Sequence, residues 1–207
     1  MRGCSHEIPI HVLTDGTPPR IWQVLETSYG TPLRINVPTG AWGLAWDESG
    51  GGYVSNYNNS YIYKLNGSGS VVSSFRCPRA HPAEISGFRL PYGDLSVAIP
   101  EENLILYLTV TGSIVKSEPG PGTRVTAAPN YAGYRCVGDA GTHKVYTFAG
   151  TFNVPSVAGM VTNYPMSGPY DKIWLTDAAT NTFQHWGRGS MPAVGPSSLG
   201  RVKALFP

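Results

Sequence analysis

The stretch from Gly52 to Phe75, GYVSNYNNSYIYKLNGSGSVVSSF, limits what the chain can fold into more than any other. Tyr53, Ser55 and Tyr57 alternate with Val54 and Asn56, and the Asn58-Asn59 pair then supplies residues that tolerate left-handed turn geometry. Tyr61, Tyr63 and Leu65 alternate with Ile62 and Lys64 as the return strand, and NGSGS turns the chain again into VVSSF. Upstream, AWGLAWDESGG from Ala41 to Gly51 is another short apolar run closed by a Gly-rich turn. Such runs, joined by such turns, predict an antiparallel meander of four strands.

The same layout recurs. KIWLTDAATNTFQHWGRGS and GDLSVAIPEENLILYLTVTGSIVKSEPGPG repeat the order of strand, polar turn, strand and Gly/Ser turn, and RIWQVLETSYGTPLRINVPTG aligns with its second half. A Gly preceded by small and apolar residues marks each predicted innermost strand, at Gly43, Gly87, Gly159 and Gly200, as expected where strands crowd an axis. Gly43 and Gly87 are 44 positions apart and Gly159 and Gly200 are 41 apart, whereas Gly87 to Gly159 is 72, so the pattern is abbreviated or irregular between Thr123 and Val154. Four strands in about 40 to 45 residues signal a β-propeller. The fold expected is all-β, a single domain over residues 1–207 with about five four-stranded antiparallel blades. Its units are placed at 8–40, 41–80, 84–122, 123–154 and 155–195. The first unit is read as lacking an innermost strand, and 196–207 as a closing strand that supplies it.

Composition agrees. With 41% hydrophobic residues, 25 Gly and 18 Pro, the chain suits many short strands and turns around a real core. Only 14% of residues are charged, the formal net charge is +2, and the 15 Lys and Arg are dispersed without a stripe, so nucleic-acid binding is not expected. No run reaches the 18 or more apolar residues of a membrane span, and the N-terminus carries no signal-peptide pattern. Cys4, Cys77 and Cys136 form no Cys-x-x-Cys pair, which excludes a zinc ribbon; a Cys77–Cys136 bridge and unpaired core thiols both remain open.

From Gly43 to Phe75, GLAWDESGGGYVSNYNNSYIYKLNGSGSVVSSF resembles the NHL/YVTN-type propeller repeat, in the version common in secreted microbial proteins. Residues 173–189 resemble it as well, and 93–122 to a lesser degree. The resemblance implies fold above all. It implies a protein- or glycan-binding module or a part of a surface assembly, at the cell surface or outside the cell; a minority of similar propellers, akin to streptogramin lyase or to lactonases, act on small molecules.

For an enzyme, Asp47, Glu84, Asn103, Asp139 and Asp177 lie near predicted strand ends where they could converge on a cation, with turn capping as the alternative role. A lyase would need a His and a Glu to meet in the central cleft, as His143 and Glu84 would. No Gly-x-Ser-x-Gly elbow, Gly-x-Gly-x-x-Gly cradle or Walker lysine is present, so no catalytic residue, metal or cofactor is assigned. The excess lies in 12 Tyr and five Trp, rings suited to surfaces with one packed and one wet side. Tyr57 between Asn56 and Asn58, and Trp174, His185 and Trp186 on a matching hairpin, are the candidate ligand-binding residues; packing between blades is the alternative. Asn58-Asn59-Ser60 and Asn66-Gly67-Ser68 match the N-glycosylation pattern. The expectation is a non-enzymatic module that binds a protein or glycan and self-associates through strand edges of the irregular unit.

Overall fold

A computed structural model describes residues 4–5, 10–14, 17–24, 33–47, 51–87, 92–131, 134–147, 150–154, 157, 159–163, 172–177 and 182–187. Strands β1 (Cys4–Ser5), β2 (Ile10–Thr14), β3 (Arg20–Val24) and β4 (Leu33–Arg34) form the first sheet, and β5 (Ala41–Asp47), β6 (Gly51–Asn56), β7 (Tyr61–Asn66) and β8 (Val71–Arg76) the second. The third contains β9 (Ile85–Gly87), β10 (Leu95–Ile99), β11 (Leu104–Leu108) and β12 (Ile114–Pro119). In the fourth, a small hairpin of β14 (Asn130–Tyr131) and β15 (Tyr134–Arg135) separates β13 (Val125–Ala127) from β16 (Val137–Asp139), β17 (Lys144–Thr147) and β18 (Gly150–Asn153). The fifth has three strands among the described residues, β19 (Gly159–Asn163), β20 (Lys172–Asp177) and β21 (Thr182–Gly187). Every ladder is antiparallel, and the chain is an all-β propeller.

The second and third sheets are legible because their middle strands have apolar side chains on both faces, and alternation decides which neighbour a side chain meets. In β10, Leu95, Val97 and Ile99 enter the cluster shared with the second sheet, while Ala98 enters the one shared with the fourth. β11 divides likewise, Leu106 and Leu108 to one side, Ile105 and Tyr107 to the other. The first and second sheets meet over Leu13, Ile21, Leu44 and Val54, and the fourth and fifth over Val145, Val154 and Leu175. Each of these four junctions has its own core, as a radial stack of twisted sheets requires.

The ring closes within the chain. β5 touches β1 and β9, β13 touches β10 and β19, and β19 touches β1. This corrects one expectation, since the first sheet has its own innermost strand in Cys4–Ser5, held by Cys4 opposite Val12 and Ser5 opposite His11. The expected closing strand 196–207 lies outside the described residues. The irregularity expected between Thr123 and Val154 is the inserted β14–β15 hairpin, accompanied by strands of only three or four residues.

Crowding at the axis is real at Gly43, where a Cβ would lie 2.4 Å from both Ala83 O and Ile85 N. Gly87 departs from that expectation: a Cβ there meets nothing closer than 3.5 Å, so this position is not sterically reserved for glycine. Cys77 and Cys136 are buried and form no disulfide, which settles the bridge alternative. Burial pushes the Cys77 thiol up to about 11.

Candidate functional site: the turn face between the second and fourth sheets

The turns that follow the second strand of each sheet share one end of the ring with the linkers entering the next innermost strand. The β6–β7 turn (57–60), the 3-10 turn Pro100–Glu102 and the β16–β17 turn (140–143) all open onto this end. Each turn finishes on a left-handed residue, Ser60 (φ 62°), Asn103 (φ 48°) and His143 (φ 54°), directly before the third strand. The left-handed position expected at Asn58-Asn59 therefore belongs to Ser60. Tyr57 opens the turn instead of ending β6, because Asn56 Oδ1 accepts from Asn58 N (3.0 Å) and Asn59 N (3.1 Å) and stops the strand.

Tyr57 is the centre of the site. Its half-buried ring stands between Trp42, at 4.8 Å between centroids, and His81, at 4.7 Å. Its hydroxyl donates to Glu101 Oε1 on the neighbouring sheet, and Arg124 Nη2 donates to the same oxygen at 2.9 Å from the linker into the fourth sheet. His81 Nδ1 lies 2.9 Å from Tyr57 O, which as a carbonyl can only accept, so Nδ1 carries the proton and Nε2 is left to other partners. His81 has a left-handed backbone (φ 55°), and its N–H donates to Ser60 Oγ at 3.2 Å. Arg79 Nε and Glu102 Oε2 add an exposed ion pair at 3.5 Å.

The electrostatics are coherent. The hydrogen bond from Tyr57, with that from Arg124, holds the Glu101 carboxyl below its ordinary value, while burial, followed by the bond to Glu101, raises the Tyr57 phenol. Both groups move away from neutral pH. The cluster is built to stay a phenol, a carboxylate and a guanidinium, a set of fixed donors and acceptors and not a proton-transfer pair.

Of the sequence candidates, Asn56 is fully buried, and its Nδ2 donates to Pro38 O (2.8 Å) and Thr39 O (3.3 Å), which makes it the clamp of this turn. Asn58 is exposed at the rim, and its Nδ2 reaches Thr39 O at 3.4 Å. Trp174 pairs with His185, and Trp186 with Ile173, across β20 and β21. That sheet adjoins the fourth and first, whereas Tyr57 follows β6 in the second. The side chains of Trp174, His185 and Trp186 lie outside the described residues.

The enzyme candidates separate as well. Asn103 and Asp139 cap turns: Asn103 Nδ2 holds Gly120 O (3.1 Å) and Gly122 O (2.8 Å), and Asp139 accepts from Arg124 N (2.7 Å) and Thr142 N (2.6 Å). Glu84 is buried in the linker before β9, with its N–H on Thr126 O (3.2 Å) and its carbonyl accepting from Ala98 N (2.9 Å). His143 is in an exposed turn, and the side chains of Asp47 and Asp177 lie outside the described residues. Among the described residues, no three of His, Cys, Asp and Glu gather in a group able to hold a metal ion.

Sequence reasoning missed Trp42, His81, Glu101 and Arg124. Glu101 was recoverable, since PEEN occupies the turn position of YNNS one unit earlier. Arg124 and His81 sit in linkers with no periodic signal.

No protein-family model and no curated protein matches the chain. Solved structures do. A streptogramin B lyase structure aligns with a TM-score of 0.52 at 16% identity, over 86% of this chain and 65% of that one, so the chain spans about two thirds of its length. The glutaminyl cyclase of Myxococcus xanthus aligns with a TM-score of 0.63 at 13% identity, over 84% of each chain. A chain of the nidogen/laminin complex aligns with a TM-score of 0.64 at 16% identity, over 97% of this chain and 81% of that one. At these identities the likeness is one of fold, the β-propeller.

Proposed function

We propose that the chain is an NHL-like propeller serving as a non-enzymatic binding or assembly module of a secreted or cell-surface system, and that it takes a protein or glycan partner on its turn face. The observation that carries this reading is the Trp42–Tyr57–His81 stack with its tied Glu101–Arg124 pair. Aromatic rings beside fixed hydrogen-bonding groups of both signs suit hydroxyl-rich or peptide surfaces, and their protonation states do not suit acid–base turnover. That a similar fold occurs in a nidogen/laminin complex is compatible with protein contacts on such a scaffold.

A glycan array probed with the wild-type chain, Tyr57→Ala and Arg124→Ala tests it, with Val72→Ser as a distant surface control. Glycans held by the wild type and the control should be lost by about tenfold or more in the other two, as truncating a central anchor usually costs. Equal retention by all four chains would remove Tyr57 from the site. Self-association belongs to the same proposal, and light scattering that finds only monomer at high concentration would end that part.

A small-molecule lyase or lactonase in the central cleft is the second reading. It draws on one observation, the buried acid Glu84 beside Gly43 of the innermost strand β5. A divalent ion retained through purification would reverse the order of the two.

A further inference from the structure

The β7–β8 turn lies at the other end of the sheets from the binding face and contains an asparagine with unusual surroundings. Asn66 is exposed, and its side-chain Oδ1 accepts three hydrogen bonds, from Ser68 N at 3.1 Å, Ser68 Oγ at 2.7 Å and Ser70 N at 3.0 Å. The backbone fixes this geometry: Asn66 N donates to Ser70 O and Gly69 N to Asn66 O, with Gly69 at φ +79°. The next residue is Gly67, which has no side chain to shield its amide nitrogen.

We propose that Asn66 is a self-modifying site that converts through a succinimide to aspartate or isoaspartate. Gly67 N attacks Asn66 Cγ; the N–Cγ bond forms, the Cγ–Nδ2 bond breaks, and ammonia leaves with the proton lost from Gly67 N. Water then opens the ring at either carbonyl, so one amide and one water become one carboxylic acid and one ammonia, with no redox step. The charge that develops in the first step falls on Oδ1, the atom facing three donors. Donors at 2.7 to 3.1 Å hold an oxyanion more tightly than an amide oxygen, so they lower the barrier and do not merely fix the ground state.

The other asparagines of the second sheet lack this combination. Asn56 is fully buried, its Nδ2 is held by two carbonyls, and Tyr57 follows it. Asn58 and Asn59 are followed by Asn and Ser. Conversion at Asn66 would place a negative charge in an uncharged turn, and the isoaspartate product would add a methylene to the backbone of the loop that sets the register of β8. It would also consume the acceptor of the Asn66-Gly67-Ser68 glycosylation pattern, so a glycan there would block it.

The test is mass analysis of the tryptic peptides, that covering residues 65–76 and those containing the other asparagines, after incubation of the full chain at mildly alkaline pH. Amide loss should appear at Asn66 before Asn58, Asn59 or Asn103, with the succinimide as a transient. Ser68→Ala, which removes one donor, should slow it by about two- to tenfold, the effect of one hydrogen bond. In urea, where the turn is gone, wild type and Ser68→Ala should convert at the same rate. An intact Asn66, no slowing in Ser68→Ala, or a gap that persists in urea would each overturn the proposal.

Discussion

At the scale of single residues, the same few side chains recur as clamps. Asn56, Asn103 and Asp139 each tie a turn to an inter-sheet linker through side-chain amide or carboxylate bonds. Asn56 is fully buried, as is Asp139, and its side chain donates two hydrogen bonds and accepts two. Asn56→Ala leaves those partners without it, and an unmet buried group costs about 1–3 kcal/mol, so urea unfolding should show a loss of about 2 kcal/mol or more. Glu101 gives a pH-dependent test. Its carboxyl is lowered in the folded state, so its contribution is present above the unfolded value and is lost as pH falls through the lowered one. The contribution to stability is small because the carboxylate is 47% exposed, so NMR titration of the side chain is the better measurement. In Tyr57→Phe, which removes the largest cause, the Glu101 titration should move up toward the ordinary carboxylate range.

At the scale of elements, the hairpins could be read from the sequence and the linkers could not. Alternation of apolar residues located β6, β7, β10 and β11, because both faces of those strands meet a neighbouring sheet. The turns NGSGS and TGS were likewise legible through Gly69 and Gly112, both at positive φ. β1 was not, since a two-residue strand carries no period and is held by a closed ring and not by local propensity. The cluster around Tyr57 was half legible: Tyr57 stood out beside its polar turn, but Trp42, His81 and Arg124 come to it from linkers and another strand. Buried hydroxyls were also missed. Ser55 Oγ accepts from Gly43 N at 2.8 Å and donates to Ala83 O, and Ser96 Oγ donates to Ala128 O at 3.0 Å, each joining a second strand to the chain of the following sheet. The glycines of the innermost strands divide cleanly. Gly43→Ala drives a Cβ into the backbone of Ala83 and Ile85, which cannot yield as a side chain tip can, and should cost at least about 1–3 kcal/mol. Gly87→Ala meets only ordinary contacts and should leave the thermal midpoint nearly unchanged.

At the scale of the molecule, the order of contacts makes the first and last sheets depend on each other. β1 touches both β5 and β19, so it joins the beginning of the ring to its end and supports the second sheet as well. A radial stack with a broken junction exposes two apolar sheet faces, and the sheets beside the break then lose a neighbour on one side. The fifth sheet is the more vulnerable of the two. Its described residues form only three strands, and its recorded packing besides β1 is against β13 and the cluster around Val145, Val154 and Leu175. Removing residues 1–8 should therefore lower the thermal midpoint and, under limited proteolysis, release fragments from residues 159–187 while the second and third sheets remain protected. If β1 were dispensable, as the sequence reading with closure by 196–207 requires, the shortened chain would unfold and digest like the whole one. The two routes of closure thus differ in which end of the chain can be removed without opening the ring.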